Sequence, residues 1–279
     1  MSLPLSLSQI ATVLGCAAPV TDVAITGTAI DSRKVLLGSL FVAIAGEHVD
    51  GHNYLAAARQ AGASAALVSV RQHDPLPQLV VSDVVQAFGI IAKFWQQQSG
   101  AKIVAVTGSN GKTTVKEMIA TILRQCGTVI ATQGNLNNDL GVPLTLTRIT
   151  PSTDYAVIEM GASRRGDILR LVEMAQPQFS VINNVAPAHL EGFGDLMGVA
   201  KAKAEIFFGL ASDGVGVLNA DMDFVDEWKQ VLANRKTLSF ALDNEADITA
   251  NDLQLDTSSS HFMVELAGEY HYINVPLPG

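Results

Sequence analysis

The sequence has few charged or aromatic residues, only two cysteines, and no long uninterrupted apolar run. Charged residues make up 16% of the 279 positions and aromatic residues 6%. Cys16 and Cys126 lie far apart and no secretory signal is evident, so we predict reduced thiols in the cytoplasm instead of a disulfide framework. No apolar stretch approaches the roughly 18 residues that a membrane helix needs, so we expect no membrane insertion.

Basic residues are also few and scattered. The chain has 18 lysines and arginines against 27 acidic residues, a formal net charge of −9, and no basic run longer than Arg164-Arg165. This distribution argues against a nucleic-acid or anionic-membrane surface. We therefore predict that any anionic ligand is held by local backbone amides and a few placed cations.

The chain has the composition of a folded α/β protein with about two domains. It is 48% hydrophobic with 23 glycines, and its length exceeds that of one typical domain. Short runs rich in Val, Leu, Ile and Ala predict strands at residues 24–30, 39–44, 63–70 and 78–81. Helices are predicted at 53–61, with Asn53 as cap, and after Asp83. The polar tract at 96–100 separates a predicted domain 1–98 from a second domain 99–279.

Strands and helices alternate in the second domain. Predicted strands at 103–107, 155–160, 179–185 and 216–219 are separated by helices that begin at 113 or 114, 168 and 200, a pattern typical of a parallel sheet. Apolar residues at 115, 118, 119, 122 and 123 are predicted to share the buried face of the first of these helices. Residues 262–266 and 270–275 around Gly268 predict an antiparallel hairpin. We therefore expect a small mixed α/β domain followed by a P-loop-type domain whose mainly parallel sheet has an antiparallel end.

A phosphate-binding loop is the most informative motif. A buried strand leads into Gly108-Ser109-Asn110-Gly111-Lys112-Thr113-Thr114, where a helix begins. Glycines let consecutive backbone N–H groups converge on phosphate oxygens, and the helix N-terminus adds partial positive charge. Lys112 is suited to bridging outer phosphates and the Thr113 hydroxyl to ligating Mg²⁺. The glycine spacing is shorter than the common one, yet the flanking strand and helix favour a nucleoside triphosphate site over an ordinary glycine-rich turn.

Polar residues also follow two other predicted strands. Glu159 comes late in one strand and His189 just after another, and ligands of open parallel sheets gather at the carboxyl ends of strands. Taken alone, Glu159 is equally well a surface charge and His189 a loop cap. Together with the phosphate loop, they favour a metal centre at this edge.

Two further polar segments allow two interpretations each. Lys201, Lys203 and Glu205 have, by composition, the pattern of a solvated helix face. The asparagine cluster that includes Asn137 and Asn138 is typical of turns, but it also offers donors and acceptors for a purine or ribose.

Taken together, these motifs resemble those of the Mur ligase family. The resemblance covers essentially the whole chain and rests on 107–114, 134–143, 159–163, 183–191, 200–207 and 219–221, with 31–33, 38–43 and 50–52 in the first domain. It implies a cytoplasmic, ATP-dependent amide-bond ligase of peptidoglycan precursor synthesis. The branch it matches joins D-Ala-D-Ala to UDP-N-acetylmuramoyl-tripeptide through an acyl phosphate.

The resemblance also implies site roles. Residues Gly108 to Thr114 are expected to hold the ATP phosphates, with Thr113 on one Mg²⁺ ion, while Glu159 and His189 bind or border a second Mg²⁺ ion. Asn137 and Asn138 are expected to face the nucleotide or the substrate, and Lys203 is the remaining expected metal ligand. Lys203 matches a lysine that relatives carry as a carbamate, with Lys201 as the alternative. Lys112, Lys203, His189 and Glu159 are thereby the expected catalytic residues.

The UDP end of the substrate is expected in the first domain. The resemblance assigns it to Ser32, Arg33, Asp50 and His52. Without the family, Asp31-Ser-Arg33 is best interpreted as an Asx turn with a surface arginine.

The resemblance further implies a third, C-terminal domain of roughly 150 residues. We therefore expect this chain to be a monomeric fragment that binds UDP-substrate and ATP without turnover by itself. Two alternatives are another ligase of the superfamily, such as a folylpolyglutamate synthase, and a regulatory nucleotide switch. The motifs of the first domain disfavour the former, and the absence of Asn-Lys-x-Asp disfavours the latter.

Overall fold

A computed structural model describes residues 5–277 of the chain. Residues 1–4 and 278–279, at the outer ends of the two predicted domains, lie outside the described residues. Within the described part the strands are β1 (Leu5–Ser6), β2 (Ala24–Ile25), β3 (Gly27–Ala29), β4 (Ser39–Val42), β5 (Ala65–Val68), β6 (Gln78–Val80), β7 (Lys102–Thr107), β8 (Val129–Ala131), β9 (Tyr155–Glu159), β10 (Phe179–Ile182), β11 (Val215–Asn219), β12 (Lys236–Ala241), β13 (Ile248–Leu255), β14 (Ser260–Leu266) and β15 (Glu269–Val275).

The helices lie between these strands and cover the sheets. They are α1 (Leu7–Leu14), α2 (Leu55–Gln60), α3 (Val84–Gln97), α4 (Lys112–Leu123), α5 (Gly141–Leu146), α6 (Asp167–Ala175), α7 (Leu190–Phe193), α8 (Leu196–Ala204) and α9 (Val225–Leu232), with 3-10 turns at Ser32–Lys34, Gly51–Tyr54 and Glu205–Phe207. Between residues 5 and 277, none of the helices combines the length and apolar content that crossing a membrane requires.

The first part of the chain forms a four-stranded parallel sheet in the order β3-β4-β5-β6. Alternate residues of its strands face opposite sides, as the two-residue period of a strand requires. Leu40 and Val42 pack with α1 and α3, whereas Phe41 and Ala43 pack with α2. Both faces are therefore buried, which is typical of a parallel sheet.

The second part forms a nine-stranded sheet in the order β15-β14-β13-β12-β11-β10-β7-β9-β8. Pairing is parallel from β8 to β13 and antiparallel for β13-β14 and β14-β15, which confirms the predicted mainly parallel sheet with an antiparallel end. Thr107 pairs with Ile182, and Val106 pairs with Glu159. The carboxyl ends of β7, β9 and β10 therefore lie side by side.

Helix α3 connects the two sheets. Its Phe88 and Ile91 belong to the core of the four-stranded sheet, while Ala92 packs in the core of the nine-stranded sheet. Trp95 is 1% exposed, and its Nε1 donates a hydrogen bond of 3.0 Å to the carbonyl of Ile149. The Asp83 side chain caps α3 through the amide of Gln86, as the sequence predicts.

Two helix predictions differ from the structure, and several elements were not predicted. Asn53 is not a helix cap, because Asp50 caps the 3-10 turn that precedes α2. Helix α8 begins at Leu196 instead of 200, because the Asp195 side chain accepts from the amide of Gly198. The elements that were not predicted are strands β1, β8, β12 and β13 and helices α1, α5, α7 and α9.

The predicted buried face of α4 is also partly wrong. Met118 and Ile122 are exposed, whereas Lys116 and Ala120 are fully buried. Ala120 packs against the strands with Val106, Val157 and Val181. The hydrophobic pattern misplaces this face because a buried lysine occupies its centre.

We expect Trp95→Phe to lower the free energy of unfolding by about 2–3 kcal/mol, because it leaves a cavity and an unpaired Ile149 carbonyl. Urea unfolding followed by circular dichroism measures the change. Ile90→Val on the exposed side of the same helix is the control and should cost less than about 0.5 kcal/mol. Equal effects of the two substitutions would contradict the bridging role of Trp95.

Candidate active site

The phosphate loop joins β7 to α4 at the carboxyl edge of the nine-stranded sheet. Gly111 is the N-cap of α4 and has a φ of 70°, a left-handed conformation that glycine adopts without strain. The loop therefore turns into the helix within one residue. The first amides of the helix have no acceptor inside it, so they are free to bind an anion at the positive end of the helix dipole.

Two asparagines after β10 hold this loop in place. The Asn184 Oδ1 accepts from the amides of Ser109 and Asn110 at 3.1 and 2.9 Å. The Nδ2 groups of Asn183 and Asn184 both donate to the carbonyl of Asn110. In this conformation the amides of Ser109 and Asn110 thus point at Asn184 and not, as predicted, at a phosphate site. The amides at the start of α4 remain for that purpose.

Lys112 lies across the mouth of the loop. Its Nζ donates to the carbonyls of Gly108 and Ser109 at 2.9 and 3.2 Å. Both partners are uncharged, so the positive charge of Lys112 is not neutralised by a neighbouring carboxylate in this arrangement. It is therefore available to an anionic ligand in the adjoining cavity.

The carboxylate of Glu159 meets the Thr113 hydroxyl directly. Glu159 is the last residue of β9 and is 2% exposed. Its Oε2 accepts from Thr113 Oγ1 and its Oε1 from Asn137 Nδ2, both at 2.8 Å. A surface charge is excluded by this burial. The structure thus brings together the two oxygen groups predicted to ligate Mg²⁺.

Gly161 allows Asn137 to approach Glu159. A Cβ at Gly161 would lie 2.8 Å from the Asn137 Oδ1, which is closer than side chains tolerate. The amide of Gly161 also donates to the carbonyl of Asn137 at 2.9 Å. The segment after β8 is therefore packed tightly against the end of β9.

The set of oxygen donors fits magnesium bound to a nucleotide. Across residues 5–277, no three His, Cys, Asp or Glu side chains come together as metal ligands would. Magnesium usually takes only one or two carboxylates and completes its shell with water and phosphate oxygens. Glu159 and Thr113, next to a phosphate loop, are a donor set of this kind.

A cavity of about 430 Å³ lies beside the phosphate loop, and Lys112 and Asn137 line it, whereas Thr113 and Glu159 do not. Its walls bring together residues that are far apart in sequence: Gly108, Ser109, Lys112, Asn137, Asn138, Asp139, Gly161, Ala162, Ser163, Arg164, Asp167, Arg170, Leu171, Ala188, His189 and Lys203. His189 precedes α7 and has a φ of 52°. Its ring lies edge-on to Phe193, with the ring centres 6.5 Å apart, so it is both a loop cap and a cavity residue.

Lys203 is buried in this wall. It is 4% exposed, and burial, together with the nearby charge of Lys112, lowers the pKa of its amine from 10.5 to about 8. A pKa of about 8 raises the neutral fraction at pH 7 by more than about a hundredfold. The interpretation of this helix as a solvated face is therefore wrong at Lys203, although it holds for the exposed Lys201.

Glu205 is buried too, for a reason that sequence reasoning missed. Its carboxylate accepts from the amides of Gly166 and Leu169 at 2.7 and 3.1 Å, so it caps α6 from a distant part of the chain. This contact fixes the start of α6 beside Lys203. A cap that comes from another helix leaves no local signal in the sequence.

The residues assigned to the UDP end lie at a second place. Ser32 and Arg33 line a cavity of about 580 Å³ together with Asp31, Tyr54 and Leu140. Asp31 accepts from the Arg33 backbone and guanidinium, and these bonds lower its pKa to about 2. The Asx turn with an exposed arginine, predicted from the residues alone, is thus present.

Asp50 and His52 line neither cavity. The His52 Nδ1 is 2.6 Å from the Asp50 Oδ1, and its Nε2 accepts from the Ser69 amide at 3.0 Å. His52 is buried, and its neighbour Gly51 lines the 580 Å³ cavity. The exposed Asp50 and the buried His52 therefore flank the cavity residue Gly51 without lining the cavity themselves.

A short segment separates the two cavities. Asn138 and Asp139 line the smaller cavity, and Leu140 lines the larger one. The Thr28 hydroxyl bonds the Thr147 hydroxyl at 2.6 Å, so the four-stranded sheet is tied to the end of α5. An elongated ligand in contact with both cavities would cross residues 138–140.

Comparison with known protein families and sequences identifies Mur ligases as relatives of this chain. The profile described as "Mur ligase family, catalytic domain" matches residues 24–106, and that of the "Mur ligase middle domain" matches residues 106–279. The UDP-N-acetylmuramoyl-tripeptide--D-alanyl-D-alanine ligase of Escherichia coli is 44% identical over 275 residues, which cover 98% of this chain and 61% of that protein. The chain thus spans about 61% of the length of this relative.

Solved structures show the same likeness. A crystal structure of MurF from Acinetobacter baumannii superposes with a TM-score of 0.90 at 32% identity, covering 99% of this chain and 61% of that one. MurF from Thermotoga maritima in complex with ADP gives a TM-score of 0.79 at 30% identity, covering 89% of this chain and 57% of that one.

We expect Lys203→Met to change the pH dependence of stability in CO₂-free buffer. Unfolded Lys203 has its ordinary pKa of 10.5, whereas the folded value is about 8. The protonated amine therefore penalises the fold fully below pH 8, and the penalty fades as the pH rises from 8 to 10.5. The stability difference between variant and wild type should shift by about 2–3 kcal/mol across this range.

Chemical denaturation at a series of pH values measures this shift. Lys201→Met replaces the exposed lysine two positions earlier and should show no such dependence. A pH-independent difference for Lys203→Met would contradict a buried, destabilised ammonium.

Proposed function

The chain belongs to the Mur ligase family, and we propose that it is part of an ATP-dependent ligase that joins D-Ala-D-Ala to UDP-N-acetylmuramoyl-tripeptide. The proposal rests mainly on the hydrogen bond from the Thr113 hydroxyl, at the start of α4, to the buried Glu159 carboxylate. This contact lies beside a cavity that Lys112, His189 and Lys203 line. The named relatives support this activity over that of another ligase or a nucleotide switch. Their names specify the tripeptide and the dipeptide.

We assign substrate binding to two regions. Residues 1–98 bind the UDP end, with Ser32 and Arg33 at the 580 Å³ cavity and Asp50 and His52 shaping its wall. Residues 99–279 bind ATP through residues 108–114, with Asn137 and Asn138 nearby. The tripeptide crosses residues 138–140, so that its terminal carboxylate reaches the smaller cavity.

The proposed reaction has two steps, and in the first step two anions, the tripeptide carboxylate and ATP, react with each other. The tripeptide carboxylate attacks the γ-phosphate of ATP, which gives an acyl phosphate and ADP. The amine of D-Ala-D-Ala then attacks the acyl carbon and releases phosphate. Both steps need positive charge where negative charge gathers.

The residues of the chain supply that charge and the orientation. The amides at the start of α4 and the Lys112 amine bind phosphate oxygens, for which Lys112 exchanges the neutral carbonyls of Gly108 and Ser109. Mg²⁺, held by Thr113 and Glu159 and, for a second ion, by His189 and Lys203, supplies further charge neutralisation when bound. Asn137 holds Glu159 from the opposite side of its carboxylate.

Lys203 is proposed as the carbamoylated lysine. A buried, predominantly protonated amine cannot ligate a cation, but its lowered pKa gives a neutral fraction that reacts with CO₂. The carbamate replaces a positive charge by a negative one next to Lys112 and creates an oxygen ligand. Burial of Lys203 and exposure of Lys201 support this choice between the two lysines.

We expect the protein that contains this chain to release phosphate from ATP only when both the UDP-tripeptide and D-Ala-D-Ala are present, because the acyl phosphate must be captured by the amine. A coupled phosphate assay with each substrate omitted in turn measures this. Phosphate release that is indifferent to D-Ala-D-Ala would contradict the proposed reaction. Calorimetry of the 279-residue chain with UDP-tripeptide and with ATP separately measures binding without turnover.

The carbamate gives a second prediction. Lys203→Ala should lower ligase activity by at least about a hundredfold, because an oxygen ligand and its charge are lost. Short carboxylic acids should restore part of the activity by occupying the space of the carbamate. Lys201→Ala, on the exposed side, should behave like wild type in the same assay. Full activity of Lys203→Ala would refute the assignment.

A further inference from the structure

Lys116 is a fully buried lysine that the phosphate site does not use. It lies on α4, is 0% exposed, and its Nζ donates to the carbonyl of Thr132 at 2.7 Å. The Glu117 carboxylate is also 2.7 Å from this amine and is itself half-exposed. A lysine is seldom buried without paired acceptors, since removing its charge from water is costly. Lys116 has two such acceptors, one of them the end of a neighbouring strand.

Thr132 connects this amine to Glu159. It follows β8 and is 1% exposed, and its amide donates to the Val157 carbonyl at 3.0 Å. Its Oγ1 accepts from the amide of Glu159 at 2.9 Å. The backbone of Thr132 is thus bound by Lys116, and its side chain binds the backbone of Glu159.

These contacts close a ring. The Glu159 carboxylate accepts from the Thr113 hydroxyl at 2.8 Å, and Thr113 lies one helical turn before Lys116 on the same face of α4. The ring therefore runs from Thr113 along the helix to Lys116, to Thr132, to Glu159 and back to Thr113. All links of this ring are hydrogen bonds or covalent connections within the protein, so the ring forms without a ligand.

A purely space-filling role does not account for the amine of Lys116. Methionine has a similar length and fills a core position without a charge to desolvate. The amine instead fixes the distance between α4 and the end of β8 by a directed bond to one carbonyl. That distance determines where Glu159 lies relative to Thr113.

We propose that Lys116 is a positioning residue that, through Thr132, presets Glu159 opposite Thr113 for the divalent cation of a bound nucleotide. The inference rests on the proposed function, because it assumes that a magnesium nucleotide binds at the start of α4. Lys116 itself touches neither the nucleotide nor the cation. Its effect is on the affinity for the cation, and not on the phosphate-binding amides.

The test compares binding of ADP with and without magnesium in the protein that contains this chain. Lys116→Met should raise the MgCl₂ concentration that half-saturates the enhancement of ADP binding by about tenfold, while ADP affinity in EDTA stays within about twofold, as expected when an outer partner of a metal ligand is lost. Calorimetric titration measures both quantities and does not depend on turnover. Damage to the helix start would lower ADP affinity in EDTA as well.

A second variant and a control complete the design. Thr132→Val removes the acceptor of the Glu159 amide and should shift the magnesium dependence in the same direction. The double variant should show no more than the larger single shift, because both substitutions break one link. Glu117→Gln keeps an acceptor oxygen near Lys116 and should leave the magnesium dependence at the wild-type value.

The outcomes separate this inference from the proposed function. If wild type binds ADP with no response to magnesium, the proposed nucleotide site is wrong. If wild type responds but Lys116→Met and Thr132→Val both do so at the wild-type concentration, the positioning role is overturned. Should Lys116→Met fail to fold, as judged by its thermal unfolding, Thr132→Val alone decides, and an unchanged magnesium dependence then overturns the proposal.

Discussion

The buried carboxylate of Glu159 is the constraint around which the site is arranged. A carboxylate that is 2% exposed must find donors inside the protein, and it finds them on two different segments, at Thr113 of α4 and Asn137 after β8. The Thr132 hydroxyl accepts from its backbone amide. The parallel register of β7 and β9 places Glu159 beside the strand that leads into the phosphate loop. Satisfying one buried charge therefore fixes the phosphate loop helix, the asparagine segment and the sheet edge relative to each other.

The local charge at the site differs from the net charge of the chain. The chain carries a net charge of −9, so any polyanionic ligand of the cavity would approach against the overall field, and local groups would have to hold it. The start of α4 and Lys112 provide this local attraction. Lys203, close to Lys112 and away from water, is unfavourable as an ammonium, which is why its pKa falls to about 8. The proposed carbamate removes this repulsion and adds an oxygen ligand at the same position. The burial of Lys203 near Lys112 thus accounts both for the lowered pKa of Lys203 and for the proposed formation of a carbamate on it.

Local patterns predicted much of the fold and part of the site. The phosphate loop, the cap at Asp83, the parallel sheet and the terminal hairpin follow from short-range signals, and the structure contains them. Glu159 was placed at its strand end by the same reasoning. What failed depends on contacts between distant segments. The sequence pattern predicts that Lys203 and Glu205 lie on a solvated helix face, whereas in the structure both side chains are buried and Glu205 bonds to the start of α6. The hydrogen bonds between Asn184 and the phosphate loop join residues more than seventy positions apart in the sequence, and no local pattern predicts them.

The central claim is that the Thr113 and Glu159 pair at the start of α4 holds the metal of a bound nucleotide. A crystal structure of the chain with MgCl₂ and a non-hydrolysable ATP analogue tests it most directly. The account predicts phosphate oxygens on the first amides of α4, magnesium on the Thr113 hydroxyl oxygen, and the Glu159 carboxylate facing the same ion directly or through water. Magnesium or phosphates located away from both residues, with the Thr113 to Glu159 hydrogen bond unchanged, would contradict it.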